Sequence, residues 1–133
     1  MNKTITILIA DDNHYMRETL RYLISRIEHY QVIDEAVSGQ EAIQKALDLQ
    51  PDILLIDINM APINGFEATR KIIRSNKKIK IIGLSVHRQI SYAQNIISLG
   101  AKGYITKSSS PKEILKAIQI IAEGGEYICE ELQ

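Results

Sequence analysis

Four positions or pairs that could do chemistry stand at the ends of short apolar runs: Asp11-Asp12, Asp57, Ser85 and Lys107. Asp57 closes the run Ile53-Leu54-Leu55-Ile56, with Ile58 apolar beyond it. A run without alternation is the pattern of a strand covered on both faces, as in the middle of a parallel sheet. A carboxylate there is costly to bury unless it is paired or reaches solvent at the rim. If the strands are parallel, Asp11, Asp12, Asp57, Ser85 and Lys107 share one rim, the edge at which open α/β sheets bind ligands. Three carboxylates brought together repel and raise one another's pKa. A hard divalent cation with oxygen ligands relieves that repulsion, and Mg²⁺ suits a shell of few carboxylates and several waters. Lys107 adds an ammonium and Ser85 a hydroxyl. A divalent ion, an ammonium and a hydroxyl around one carboxylate make a phosphoryl-transfer site. Asp57 is its expected nucleophile, with the cations stabilising charge on the transferred oxygens.

The elements that must hold these residues are readable in chain order. Residues 4–10 are β-branched and apolar and predict a strand. A helix follows over 13–27, with Met16, Leu20, Leu23, Ile24 and Ile27 on one stripe. Residues 31–37 predict a more polar strand, carrying Asp34 and Glu35, and so an edge. Ser38 and Glu41 have capping-box spacing at the head of a second helix, which Pro51 closes. After the central strand comes a loop, then a helix capped by Asn64 and running to Ser75. Residues 79–84 predict a fourth strand, 88–99 a helix ending at Gly100, and 103–106 a short fifth strand. Ser110, Pro111 and Glu113 mark the start of a last helix that stops at Gly124-Gly125. The expected fold is α/β. Five strands alternate with five helices, and right-handed crossovers make that a doubly wound parallel sheet.

The chain has 133 residues, enough for one domain with a useful core. Lys+Arg and Asp+Glu both number 16, so no field of one sign favours nucleic acid or an acidic membrane. No basic helix is visible, and DNA contact by this segment itself is not expected. The single Cys129 forbids an internal disulfide and fits a reducing compartment. No apolar run approaches a membrane span and no basic-then-apolar leader opens the chain, so a cytoplasmic location is expected.

The motifs ILIADDN after the first strand, LLIDINM with Gly65 eight residues after Asp57, GLS at 83–85 and GAKGYITK at 100–107 form a specific set. Together they resemble the receiver domain of bacterial two-component response regulators, over nearly the whole chain. GYITK followed by SPKEILKAIQIIAEGGEYI is most similar to the subfamily whose receivers precede a helix-turn-helix DNA-binding domain. The resemblance implies a flavodoxin-like sheet in the order 2-1-3-4-5 and a phosphorylation-dependent switch fed by a sensor histidine kinase. Its output would be transcription, through a DNA-binding domain outside this chain. It implies that residues 1–125 are the receiver and 126–133 the start of a linker or tail. It gives Asp57 as phospho-acceptor. Asp12 would bind Mg²⁺ directly, Asp11 mainly through water and Asn59 through its backbone carbonyl. Ser85 would be the switch hydroxyl, Lys107 the partner of the phosphoryl oxygens and Tyr104 the switch aromatic. Two positions depart from the family's pattern: Ala61 stands where Pro is common, with Pro62 one later, and Ser108 follows Lys107 where a cis Pro is common.

Two other functions compete. A Mg²⁺-dependent aspartyl phosphatase wants a second acid two residues after its nucleophile, and Asn59 stands there, unable to move a proton in that role. A flavodoxin-like FMN protein wants a Ser/Thr/Gly-rich phosphate loop where Asp11-Asp12 stand. His14, His29 and His87 lack metal-ligand spacing and read as solvated, and Cys129, past the last helix, as incidental. Tyr15 and Tyr22 fall on the outer side of the first helix and Ile120 off the inward stripe of the last. That surface is the expected site of a phosphorylation-enhanced homodimer.

Overall fold

The structure is a computed structural model and describes residues 3–133. Six parallel strands form one sheet: β1 (Ile5–Ala10), β2 (Tyr30–Ala36), β3 (Ile53–Asp57), β4 (Lys80–Ser85), β5 (Gly103–Thr106) and β6 (Tyr127–Ile128). Their order is β2-β1-β3-β4-β5-β6, the expected 2-1-3-4-5 with one strand added beside β5. The helices are α1 (His14–Ser25), α2 (Gly39–Leu49), α3 (Gly65–Ser75), α4 (Ile90–Ser98) and α5 (Pro111–Ala122).

Helices cover both faces, which is why the strands lack alternation. On one face Ile7, Ile9, Leu55, Ile82 and Ile105 pack against Leu20 and Ile24 of α1 and Ile114, Ile118 and Ile121 of α5. On the other, Leu8, Leu54, Ile56 and Ile81 meet Ala42 and Ala46 of α2, Ala68 and Ile72 of α3, and Ala93 and Ile96 of α4. All five residues of β3 are buried, so Asp57 is fixed at the end of a strand enclosed on both faces.

Side-chain caps start four helices. Asn13, Ser38, Asn64 and Ser110 accept from the amides of Met16, Glu41, Glu67 and Glu113. Each satisfies a backbone donor that the first helical turn leaves free. α4 has no such cap and begins at Ile90, two residues later than its apolar pattern suggests. The edge strand β2 is polar as expected. Its Glu35 is held by Arg17 and Arg21, and its Asp34 by Lys45.

The segment after α5 departs from the sequence reading. A linker or tail was expected over 126–133. Instead the chain turns at Gly124 (φ 99°) and doubles back beside β5. The amides of Tyr127 and Cys129 donate to Lys102 O and Tyr104 O, both at 3.0 Å, and a short 3-10 turn, Glu130–Leu132, follows. Cys129 is fully buried in the core rather than incidental. A two-residue strand is too short to show periodicity, so the sequence alone could not announce it.

Candidate functional site

The carboxyl ends of β1, β3, β4 and β5 form one rim, and the register fixes who meets whom. Asp57 pairs in register with Leu84, and Ser85 with Thr106. Gly65 lets the head of α3 come down onto the end of β3. A Cβ there would lie 2.6 Å from Ile58 Cα and 2.8 Å from Asp57 O. Glycine eight residues after Asp57 is therefore a packing requirement of the rim.

The rim brings Asp11, Asp12 and Asp57 together, with one carboxylate oxygen of each within 4.8 Å of the others. Asp11 and Asp57 are buried and Asp12 is exposed. Asp11 Oδ1 accepts from the Asn13 amide at 2.8 Å, an Asx turn that shapes the acidic loop. Asp57 Oδ1 accepts from the Asn59 amide at 3.0 Å. The Lys107 ammonium lies 2.9 Å from Asp11 Oδ2 and 3.3 Å from Asp57 Oδ2, bridging the two buried acids.

One ammonium does not neutralise three carboxylates. Burial pushes the Asp57 carboxyl above the usual aspartate range. The Asp11 charge adds to that rise, against the Asn59 amide and Lys107. Burial alone would lower the Lys107 pKa, but the Asp11 and Asp57 carboxylates outweigh it and hold the pKa up. The donor set fits a hard divalent cation: oxygen ligands only, net negative, open to solvent on the Asp12 side. Asp11 Oδ2, buried and with no hydrogen bond beyond its ion pair to Lys107, has lone-pair capacity left for such an ion.

Ser85 and Asn59 reach the rim differently from the expectation. The buried Ser85 hydroxyl donates to the Asn59 side-chain oxygen at 2.9 Å and accepts from the His87 amide at 3.0 Å. Asn59 thus engages Ser85 through its side chain, whereas the sequence reading assigned it only a backbone carbonyl. Tyr104 is fully buried, and its hydroxyl donates to His87 O at 2.6 Å. The ring at the position that the resemblance gives as the switch aromatic is thus packed inside. His87 is half-buried and stacks on Tyr92 with centroids 4.4 Å apart, so it is not simply solvated. The Lys107–Ser108 bond is trans, and the cis bond of the described residues is Ala61–Pro62.

Two contributors escaped the sequence reading. Arg17 donates through Nη1 to Asp11 O and through Nε to Glu35 Oε1, both at 2.9 Å, and so braces the acidic turn from β2. Its signal was its place four residues after the N-cap Asn13, where a long side chain on the first helical turn reaches back. The second is Glu131, which accepts from the Thr106 hydroxyl, one residue before Lys107. No local pattern could reveal it, because it depends on the return of the chain after α5.

Residues 7–119 match the response regulator receiver domain family. The chain is 34% identical over 128 residues to the response regulator GacA of Pseudomonas viridiflava, covering 96% of this chain and 60% of that protein. It is 33% identical to the transcriptional regulatory protein DegU of Brevibacillus brevis, covering 93% of this chain and 52% of that one. The chain thus spans about half to three fifths of these curated relatives. The crystal structure of a LuxR-family two-component response regulator from Aurantimonas sp. SI85-9A1 superposes with a TM-score of 0.94 at 33% identity, over 98% of this chain and 93% of that one. By its matched residues, its sheet and its rim of acids, the chain belongs to the response regulator receiver domain family.

Proposed function

We propose that Asp57 is the phospho-acceptor of a signalling switch charged by a partner sensor histidine kinase. The carrying observation is the Lys107 ammonium bridging Asp57 and Asp11, with Asp12 alongside. An Asp57 carboxylate oxygen attacks phosphorus on a phosphohistidine. The O–P bond forms, the N–P bond breaks, and the electron pair leaves with the imidazole. Lys107 meets the transferred oxygens, an ion pair with charge-assisted hydrogen bonds. Ser85 supplies a hydroxyl to them once it leaves Asn59. Asp11, Asp12 and Asp57, with the Asn59 carbonyl, would hold Mg²⁺, which when bound adds charge stabilisation at the phosphoryl group. Asn59 argues against the phosphatase alternative, since it is no acid and its amide oxygen is engaged by Ser85.

The protein should work in the cytoplasm; among the described residues no helix is long and apolar enough to cross a membrane. Its output would be transcription through a DNA-binding domain outside residues 1–133. With net charge zero, these residues should not bind DNA themselves. A phosphorylation-enhanced homodimer would use the α1 and α5 face, where Tyr15 and Tyr22 are 78% and 63% exposed. Ile120 packs partly into the core and does not belong to that patch. A groove of about 710 Å³, lined by Ile5, Ile27, Tyr30, Leu115 and Gln119, lies beside α5.

Acetyl phosphate followed by borohydride trapping and mass spectrometry tests the assignment. The label should fall on Asp57, require Mg²⁺ and vanish in Asp57→Asn. Label on Asp52 or Asp34 would overturn it.

A further inference from the structure

The segment after α5 touches both loops that flank the rim. Glu131 Oε1 accepts from the Thr106 hydroxyl, which is buried at the end of β5 beside Lys107. Glu131 Oε2 lies 3.5 Å from Arg88 Nε, in the loop three residues after Ser85. Arg88 Nη2 reaches Ser108 Oγ at 3.5 Å, and Thr106 Oγ1 lies 3.2 Å from both Ser108 and Ser109 Oγ. One carboxylate therefore joins the loop after β4 to the end of β5.

The rest of the segment is anchored independently. Tyr127 and Cys129 are hydrogen-bonded to the backbone of β5, and Glu113 Oε2 accepts from both the Tyr127 hydroxyl (2.7 Å) and the Glu130 amide (2.6 Å). Glu131 is thus presented on a fixed base, while its partners Arg88 and Thr106 lie just after Ser85 and just before Lys107.

We propose that Glu131 is a positioning residue: a latch by which residues 126–133 read, and bias, the state of the Asp57 site. The Ser85 hydroxyl is shared between Asn59 and the His87 amide, next to Arg88. When Ser85 and Lys107 turn toward a phosphoryl group, Arg88 and Thr106 are drawn with them and the Glu131 contacts loosen. The exposed Arg88 pair contributes little by itself. The bond to the buried Thr106 hydroxyl carries the latch, because a carboxylate acceptor there is charge-assisted. Coupling is reciprocal, so releasing the latch must favour the phosphoryl-bound site by the same factor. This rests on Asp57 as the acceptor.

Beryllofluoride with Mg²⁺, standing in for the phosphoryl group, tests both on the 133-residue chain. Amide hydrogen exchange over 126–133 should speed up about five-fold on binding. Glu131→Gln and Thr106→Val should exchange faster without beryllofluoride, lose most of that change, and bind beryllofluoride about five-fold more tightly. Unchanged or slower exchange in the wild type, with a bound fluorine resonance present, overturns the latch alone. So does unaltered beryllofluoride affinity in both variants. Absence of a bound resonance in the wild type overturns the Asp57 reading, and the latch with it.

Discussion

Ser85 Oγ is 2.9 Å from Asn59 Oδ1 and donates to it, so the hydroxyl is committed to a side chain two residues beyond Asp57. A phosphoryl group on Asp57 must compete with Asn59 for that donor. Asn59→Ala frees the hydroxyl. One hydrogen bond of about 1 kcal/mol should then shift toward the phosphorylated form, stabilising it roughly five-fold. Beryllofluoride affinity, measured by fluorine NMR, checks this; weaker binding in Asn59→Ala would refute it.

Asp57 is a cost to the fold. Its pKa is raised, chiefly by burial, so the folded state holds a proton more tightly than the unfolded chain does. Between the ordinary aspartate value and the raised one, stability therefore falls as pH rises. Asp57→Asn removes that cost and should stabilise the metal-free protein by about 1–2 kcal/mol at neutral pH, a rise of roughly 3–6 °C in Tm. The gain should shrink below the carboxylate range, where Asp57 is protonated in both states. Thermal unfolding at pH 7 and pH 3.5 measures both; a lower Tm for Asp57→Asn at pH 7 sinks the prediction.

Mg²⁺ should raise Tm through mass action, by about 2.7 kcal/mol of stability at one hundred times its dissociation constant. Asp12 is the exposed member of the cluster and can be altered with little effect on the fold. Asp12→Asn should need about ten-fold more Mg²⁺ for the same shift, the equivalent of one lost charged ligand at roughly 1.4 kcal/mol. Equal titration curves would remove Asp12 from the ion's shell.

Glu35 gives the opposite pH sign from Asp57. Burial would raise it, but hydrogen bonds from Arg21 and Arg17 outweigh burial and hold it below the ordinary glutamate range. A depressed carboxylate stabilises the fold at neutral pH, and that contribution is lost as pH falls through its folded-state value. Glu35→Gln should cost about 1 kcal/mol at pH 7 and progressively less toward pH 3. Because Arg17 also braces the Asp11 carbonyl, the same variant should weaken Mg²⁺ binding two- to three-fold. Urea midpoints across pH test the first statement and magnesium titration the second; no loss at pH 7 would contradict the pairing.

The strand ends were legible because apolar runs without alternation, each followed at once by Asp, Ser or Lys, are the pattern of buried strands, and their alternation with helices puts the ends on one rim. The caps at Ser38, Asn64 and Ser110 were legible because they are local devices, solved within four residues, whereas Asn13, read as the first residue of its helix, caps it instead. What escaped depends on non-local partners. Ser85 is aimed by Asn59, 26 positions away, and Glu131 by Thr106, 25 away. Tyr104 could be placed on its strand but not given a rotamer, since the space for its ring is set by α4 and the His87 carbonyl. The β6 strand has no pattern because Tyr127 and Ile128 are too few to show a period.

That added strand also decides how the sheet ends. An open row of backbone donors and acceptors is a template on which another chain can polymerise. At one margin β5 is covered by a two-residue strand that leaves little edge to extend. At the other, β2 presents Asp34 and Glu35 clamped by Lys45, Arg17 and Arg21, charges that a docking strand would have to bury. Both margins are thus poor templates for β-addition, which leaves the helical faces as the surfaces for self-association.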